Sequence, residues 1–255
     1  MLEQIGFFKS LVRRLLVEAM IENNLTRFVD SQNQSNHTLG LIKRLFEQGI
    51  KKMSVLVRHG DRYYDLANLQ NEPFLPLTEH GKQRSYEFGL QLPSELYYQF
   101  FSSSVIRCVE TAYQIEKGCI KRGDRTQVNI IIPNLAPFFV KDRSAVFTSC
   151  AVDGPEAFFK SWLRGQISEQ IMLPPKLAIR EQLEPIMSGL VEQDHLCLNI
   201  YVTHDVNLYL IRELCLGQKI EDVGRIEPLE GLVFFEKDGV VQVSNHLGPP
   251  KAVRF

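Results

Sequence analysis

The chain has 255 residues and a net charge of −1, enough for one large domain or a core with a small insertion. That balance excludes the broad basic surface that nucleic acid selects, so any anion site must be built from a few focused arginines. With 44% hydrophobic and 23% charged residues, the composition is that of a globular protein whose core needs no disulfide or metal staple.

Residues 1–28 carry apolar side chains at helical spacing (Leu2, Ile5, Phe8, Leu11, Leu15) with Lys9, Arg13 and Arg14 between them. Such a basic amphipathic helix packs on the domain or on another subunit, or lies on a membrane surface. A polar stretch, Asp30 to His37, precedes a second helical segment at Leu39–Gln48. The first strong strand is Met53–Val57, which ends abruptly in Arg58-His59-Gly60. Thr78 reads as an N-cap with Glu79 in the first turn of a helix to about Leu90. Tyr97–Ser102 is a strand, Ser104–Lys117 a helix, and Val128–Ile132 a strand closed by Pro133. Helical patterns follow at Pro155–Gln170 and Pro175–Glu192, then a buried strand Leu196–Val202 and a helix Val206–Leu216. Leu232–Phe235 and Val240–Val243 flank Lys237-Asp238-Gly239, a hairpin signal. Strands alternating with helices predict a three-layer α/β/α sandwich with a mostly parallel central sheet.

The five cysteines (Cys108, Cys119, Cys150, Cys197, Cys215) are odd in number and show no CxxC spacing, so neither a disulfide framework nor a zinc site is expected. No secretory signal is read at the N-terminus, and no segment approaches ~18 uninterrupted apolar residues. A cytoplasmic location and the absence of an integral membrane segment are the corresponding expectations.

In open α/β sheets, ligands bind outside the carboxyl ends of strands. Three predicted strands end in unusual polar groups: Arg58-His59-Gly60-Asp61-Arg62, the turn leading to Arg107, and Thr203-His204-Asp205. Parallel strands would bring these ends together. Three arginines, two histidines and a carboxylate suit phosphoryl transfer, whose transition state spreads negative charge over oxygens that need fixed cationic donors. A neutral imidazole can attack phosphorus if its other nitrogen is held, and an adjacent carboxyl can protonate the leaving oxygen. Each piece has a plainer reading. Asp205 can simply favour a helix start, Arg107 can sit in a surface ion pair, and His204 can be a satisfied core histidine. The coincidence of the three clusters favours a phosphate site.

These residues resemble the histidine phosphatase superfamily, and more closely its acid-phosphatase-like branch, through the RHGxR segment Arg58–Arg62 and the late pair His204-Asp205. Leu77-Thr78-Glu79-His80-Gly81 matches an LTxxG element, Tyr86-Glu87-Phe88-Gly89 a YExG-like stretch, and Ser102 with Arg107 and Ala112 the middle serine–arginine helix. The likeness spans about residues 53–216. It implies a phosphoglycerate mutase-like fold, His59 as nucleophile, and a phosphate pocket of Arg58, Arg62, Arg107 and His204. It also implies Asp205 as proton donor and no metal or other cofactor. Departures are Tyr64 where proline is frequent, Arg84 where glutamine is usual, Phe101 where arginine is frequent, and Glu110-Thr111-Ala112, closer to the mutase-like branch. In that branch a glutamate protonates the leaving group, and Glu156 is the candidate here.

The resulting expectation is a metal-independent phosphomonoesterase acting on a small phosphorylated molecule through phosphohistidine. A mutase-like phosphotransferase and a phosphate-binding scaffold whose catalysis has decayed are the alternatives. The expected partner is a small-molecule phosphate ester, with no nucleic acid and with homo-oligomer formation left open. Residues 1–50 are assigned as a helical extension packed on the domain and 51–255 as the catalytic domain, with 134–195 as a small helical cap or insertion. Tyr63, Tyr64, Phe138, Phe139, Lys141 and Arg143 either line the pocket or cover the core.

Overall fold

The computed structural model describes residues 37–64, 74–191 and 196–253. The amphipathic stretch 1–28 and residues 65–73 lie outside them. The first helix, α1, covers 37–47. It is followed by β1 (Lys52–Arg58), α2 (Glu79–Gln91), β2 (Tyr97–Ser102), α3 (Ile106–Arg122) and β3 (Arg125–Ile131). A 3-10 turn at Pro133–Leu135 leads to α4 (Arg143–Asp153), α5 (Pro155–Leu163) and α6 (Pro175–Val191). The chain closes with β4 (Cys197–Thr203), α7 (Asp205–Leu216), α8 (Ile220–Val223), β5 (Gly231–Lys237), β6 (Val240–Ser244) and β7 (Lys251–Ala252).

The seven strands form one sheet in the order β3-β2-β4-β1-β5-β6-β7. Here the expectation of a mostly parallel sheet is corrected, because the sheet is mixed. β3, β2, β4 and β1 pair parallel, whereas β1–β5, β5–β6 and β6–β7 pair antiparallel. The reason lies in where the chain re-enters the sheet. Gly231 stands opposite Val57 at the C-terminal end of β1, so β5 can only run back along its neighbour. The hairpin to β6 then turns through Asp238 and Gly239, both at positive φ (54° and 75°), as a tight two-residue turn requires.

Alternation along the strands builds two cores, one on each sheet face. Met53, Val55 and Val57 of β1 point to one face, where Leu39, Ile42 and Leu45 of α1 join Phe88 of α2 and Ala112 and Ile115 of α3. Leu56 points to the other, with Tyr201, Phe234, Ile179 and Leu183 of α6, and Leu208 and Ile211 of α7. The result is a three-layer α/β/α arrangement. Between the 3-10 turn and α6, Leu135, Phe139, Phe158, Trp162 and Met172 belong to this second core. α4 falls inside the 134–195 segment, ahead of the first helical pattern read there at Pro155. It is largely exposed, so no apolar stripe announces it, but Asp142 caps it by accepting from the Ala145 amide at 3.0 Å. α5 stops at Leu163, well short of Gln170, because Gly165 takes a left-handed turn (φ 72°). All five cysteines are free thiols. Among the described residues, no helix is long and apolar enough to cross a membrane.

Candidate active site

Parallel register brings three strand ends side by side, with Arg58 opposite Thr203 and Ser102 opposite Val202. The ladder continues one step past the strands: the His59 amide donates to the Thr203 carbonyl (3.0 Å) and the Ser103 amide to that of Val202 (3.1 Å). His59, Ser103 and His204 therefore leave the sheet together at its carboxyl edge. The two imidazole rings lie 5.5 Å apart, nearly edge to face.

Arg107, in the first turn of α3, joins them. Its Nε donates to His59 Nε2 at 3.0 Å, and its Nη2 lies 3.2 Å from His204 Nδ1. A guanidinium only donates, so both ring nitrogens must be acceptors, which assigns the tautomers. His59 then carries its proton on Nδ1 and gives it to the Gly60 carbonyl at 2.8 Å. His204 carries its proton on Nε2 and gives it to Ser103 Oγ at 3.0 Å. Nε2 of His59, buried and unprotonated, is left to face the guanidinium.

The loop after His59 is held from below. The Gly60 amide donates to Thr111 Oγ1 at 2.9 Å, and Thr111 sits one turn along α3 from Arg107. A Cβ on Gly60 would stand 2.8 Å from Ser85 Oγ and 3.1 Å from the Gly81 carbonyl, so only glycine lets α2 close on the loop. Gly81 has the matching constraint, since a Cβ there would run into the Asp61 carbonyl. This accounts for the LTEHG stretch: its Thr78 caps α2 and its glycine admits the backbone of Asp61. The Asp61 carboxylate pairs with Arg84 Nη1 (3.2 Å) and His80 Nδ1 (3.3 Å).

Arg58 and Asp205 complete the cluster. Arg58 Nη2 meets Asp205 Oδ2 at 3.2 Å and Nη1 donates to the Ile226 carbonyl at 2.7 Å. Asp205 is the first residue of α7, and its Oδ1 accepts from the Val206 amide at 2.8 Å. Its side chain is partly buried, 34% exposed.

The electrostatics follow from burial among cations. Burial, then Arg107, Arg58 and His204, hold His59 well below the usual imidazole range, against the opposing hydrogen bond to Gly60. His204 is pushed down to about 3 by burial and Arg107, with Asp205 opposing. Both imidazoles are neutral at pH 7. Burial alone would raise Asp205, but Arg58, His204 and the Val206 amide outweigh it and keep the carboxyl below its ordinary value. Arg58 loses to burial, yet Asp205 and its other neighbours hold it firmly charged.

Of the residues read from the sequence, the structure brings together Arg58, His59, Arg107, His204 and Asp205. Arg62 stands at the margin: it donates to the Tyr63 carbonyl (3.2 Å), lies 4.1 Å from the Tyr64 ring centroid, and its charge reaches His204. Glu156 instead forms an ion pair with Arg225 on the surface. Ser102 receives Asn129 Nδ2 (2.9 Å), and the serine that touches His204 is Ser103. Three consecutive serines hide that choice until the strand end is known. Phe139 is core, stacked 4.7 Å from Trp162, while Tyr63 and Tyr64 are exposed. Thr111 is visible in the sequence only as part of Glu110-Thr111-Ala112, and Ile226 and Tyr209 carry no sequence signal, because all three act through a backbone contact that only the fold creates. Among the described residues, no group of His, Cys, Asp and Glu could hold a metal ion.

Residues 54–124 match the family model of the histidine phosphatase superfamily (branch 1). No curated protein matches the chain. Among solved structures, Bacillus stearothermophilus YhfR is similar with a TM-score of 0.52 and 18% identity, covering 76% of this chain and 95% of that one. Phosphoglycerate mutase from Bacillus anthracis str. Sterne follows with a TM-score of 0.50 and 16% identity, covering 76% of this chain and 92% of its own. At these identities the structural likeness speaks for the fold. The matched segment holds the His59 loop and Arg107 but ends before His204-Asp205, the pair on which the acid-phosphatase-like resemblance rests. Residues 54–124 are thus similar to the histidine phosphatase superfamily (branch 1), and the chain has a phosphoglycerate mutase-like fold.

Proposed function

We propose that this protein is a metal-independent phosphomonoesterase that transfers the phosphoryl group of a small phosphate ester to His59 and then to water. The observation that carries the reading is the state of His59: neutral, its Nδ1 proton committed to Gly60, and its Nε2 lone pair facing Arg107. That is the form of imidazole that can attack phosphorus.

Arg58, Arg107 and Arg62 supply fixed positive charge to the phosphoryl oxygens, and His204 closes the pocket. Nε2 of His59 forms the bond to phosphorus as the ester oxygen leaves, taking a proton from the Asp205 carboxyl. Water then attacks the phosphohistidine, gives its proton to the Asp205 carboxylate, and inorganic phosphate departs with the His59 lone pair restored. In the free protein Arg58 keeps Asp205 ionised. A bound phosphate dianion draws on the same guanidinium, weakening its hold on Asp205 and letting the carboxyl take up a proton. The pair Arg58–Asp205 thereby makes the donor competent when substrate is present.

The HD pair and the engagement of Glu156 with Arg225 favour Asp205 as donor, in the manner of the acid-phosphatase-like branch. A phosphotransferase reading draws on the branch 1 match and on the mutase among the structural neighbours, and shares every step up to phosphohistidine. The decayed-scaffold reading would need a lost nucleophile or arginine, and all are present. The test is hydrolysis of an aryl phosphate by wild type and His59→Ala, with quenching to trap an acid-labile phosphoryl adduct. Activity and adduct in wild type, both absent in the variant, are expected; equal activity in the two proteins sinks the mechanism. Phosphate diverted to an added alcohol would favour transfer over hydrolysis. A chelator should leave the rate unchanged.

A further inference from the structure

The turn from Gly224 to Glu230 links α8 to β5 and grips Arg58 at three points. The Ile226 carbonyl accepts from Arg58 Nη1 at 2.7 Å, the Glu230 carbonyl from the Arg58 amide at 2.9 Å, and the Leu229 amide donates to the Arg58 carbonyl at 3.1 Å. Within the turn, Glu230 Oε2 accepts from the Glu227 amide at 2.8 Å. Leu229, buried, stands at φ 64°, a left-handed conformation that a branched side chain keeps only where its surroundings hold it.

Part of that hold comes from α7. Asp205, Tyr209 and Arg212 fall at i, i+4 and i+7, one face of the helix. Tyr209 Oη accepts from the Ile226 amide at 3.3 Å, and Arg212 Nη2 donates to the Gly224 carbonyl at 2.6 Å. The Arg212 guanidinium lies 5.2 Å from the Tyr209 ring centroid. Asp205, at the head of the same face, meets Arg58. The contacts close a ring: Asp205 to Arg58, Arg58 to Ile226, Ile226 to Tyr209, and along one helical turn back to Asp205.

We infer that Tyr209 is a positioning residue: its hydroxyl, through the Ile226 amide, sets where Arg58 stands against Asp205 and so tunes the leaving-group proton donor. The inference rests on the phosphatase reading above, since only there does Asp205 give up a proton. The charged and titratable groups around the ring are few. Asp205 faces Arg58 from β1, His204 beside it and Arg107 from α3. Arg58 faces Tyr64, Tyr209 and Glu227 besides Asp205, and the Glu230 carboxyl reaches both Arg58 and Arg212. Tyr209 faces Asp205, Arg58 and Arg212, and burial followed by Asp205 pushes its phenol up to about 12, so it stays a neutral hydroxyl through the working range. Tyr209 therefore acts by geometry and not by charge.

The experiment compares Tyr209→Phe with wild type on an alkyl phosphate, whose leaving alcohol needs a proton, across pH. Inorganic phosphate is titrated calorimetrically over the same range. Without its acceptor the Ile226 amide loosens the turn, Arg58 stands farther from Asp205, and the carboxyl moves back toward its ordinary value. The limb of the rate profile that belongs to Asp205 is expected to rise by about half a pH unit. KM should increase about 3- to 10-fold with kcat at its optimum within about threefold, and phosphate affinity should fall in parallel. A loss of stability alone would lower the yield of folded protein without moving the limb. Arg212→Lys, which keeps a donor toward Gly224, should shift the limb the same way by less, and it decides the matter if Tyr209→Phe does not fold. Wild-type limbs and wild-type phosphate affinity in the folded variant overturn the inference. Should wild type prove inactive, or His59→Ala equally active, the phosphatase reading fails instead. The phosphate titration then still shows whether Tyr209 positions Arg58.

Discussion

Among the described residues two histidine pairs lie ring to ring, and they differ in what holds the rings. His59 and His204 lie 5.5 Å apart at the carboxyl edge of the parallel strands. His37 and His246 lie 4.6 Å apart, tilted at 35°, where α1 meets the turn after β6 on the antiparallel side. Burial and cationic neighbours lower His246 to about 4, much as they lower His204 to about 3. A depressed imidazole therefore does not distinguish the pairs. Directed donors do. Arg107 reaches one nitrogen of each ring in the first pair, whereas His246 Nδ1 has only Glu230 at 3.8 Å, beyond hydrogen-bond range. The first pair is oriented by a shared guanidinium, which in the proposed mechanism turns to the phosphate. The second is a packing joint.

The largest expected effect is that of His59→Ala, which should lower phosphatase activity by roughly 10³-fold or more if, as proposed, His59 carries the phosphoryl group. Steady-state rates on an aryl phosphate measure it. Arg107→Ala comes next. It removes the donor shared by both rings, and a loss of about 10²- to 10³-fold is expected. A loss under tenfold would mean that the shared guanidinium is not what separates the two pairs.

Asp205→Asn should cost about 10²-fold or more on alkyl phosphates and about tenfold or less on aryl phosphates, whose leaving groups need no proton. A uniform loss would move the donor role to Glu156, to be tested by Glu156→Gln in the same comparison.

The next prediction concerns stability. His204 falls from 6.5 to about 3 on folding, so between those values the unfolded chain binds more protons. Stability is thus lost as pH falls through that window, at up to ~1.4 kcal/mol per pH unit for such a group. His246 adds the same sign from 6.5 to about 4. Saturating inorganic phosphate, whose charge favours protonated His59 and His204 but does not reach His246, should flatten the melting-temperature profile only in part. Complete flattening, or none, would contradict the contrast between the pairs. The smallest effect belongs to His246→Phe, for which activity within about twofold of wild type and a stability change of about 1 kcal/mol are expected from rate assays and thermal melts.

Much of this site is visible in the chain because its parts are short and local. Arg58-His59-Gly60, Arg107 and His204-Asp205 each sit just past a strand or in the first turn of a helix, where hydrophobic periodicity stops and polar residues begin. The cap at Thr78 and the hairpin at Asp238-Gly239 are legible for the same reason: each depends on residues a few positions apart. Other features were not legible. Nothing near Glu156 shows that Arg225, 69 residues away, will claim it, and nothing in Ser102-Ser103-Ser104 says which hydroxyl will meet His204. The antiparallel pairing of β5 with β1 also escaped, since strand direction depends on where the chain re-enters the sheet and not on the strand's own residues.

By itself the sequence determined the alternation of strands and helices, the positions where strands end, and the residue types held there, since side-chain period and turn chemistry act over single turns. Tertiary structure alone decided what those residues do to one another. The tautomers of His59 and His204 exist because Arg107, 48 and 97 positions away, donates to both. The state of Asp205 exists because a turn some twenty residues later holds Arg58 against it. Hydrogen-bond direction and charge fall off over a few ångströms, so such partners are set by register and packing, which no local stretch of chain encodes.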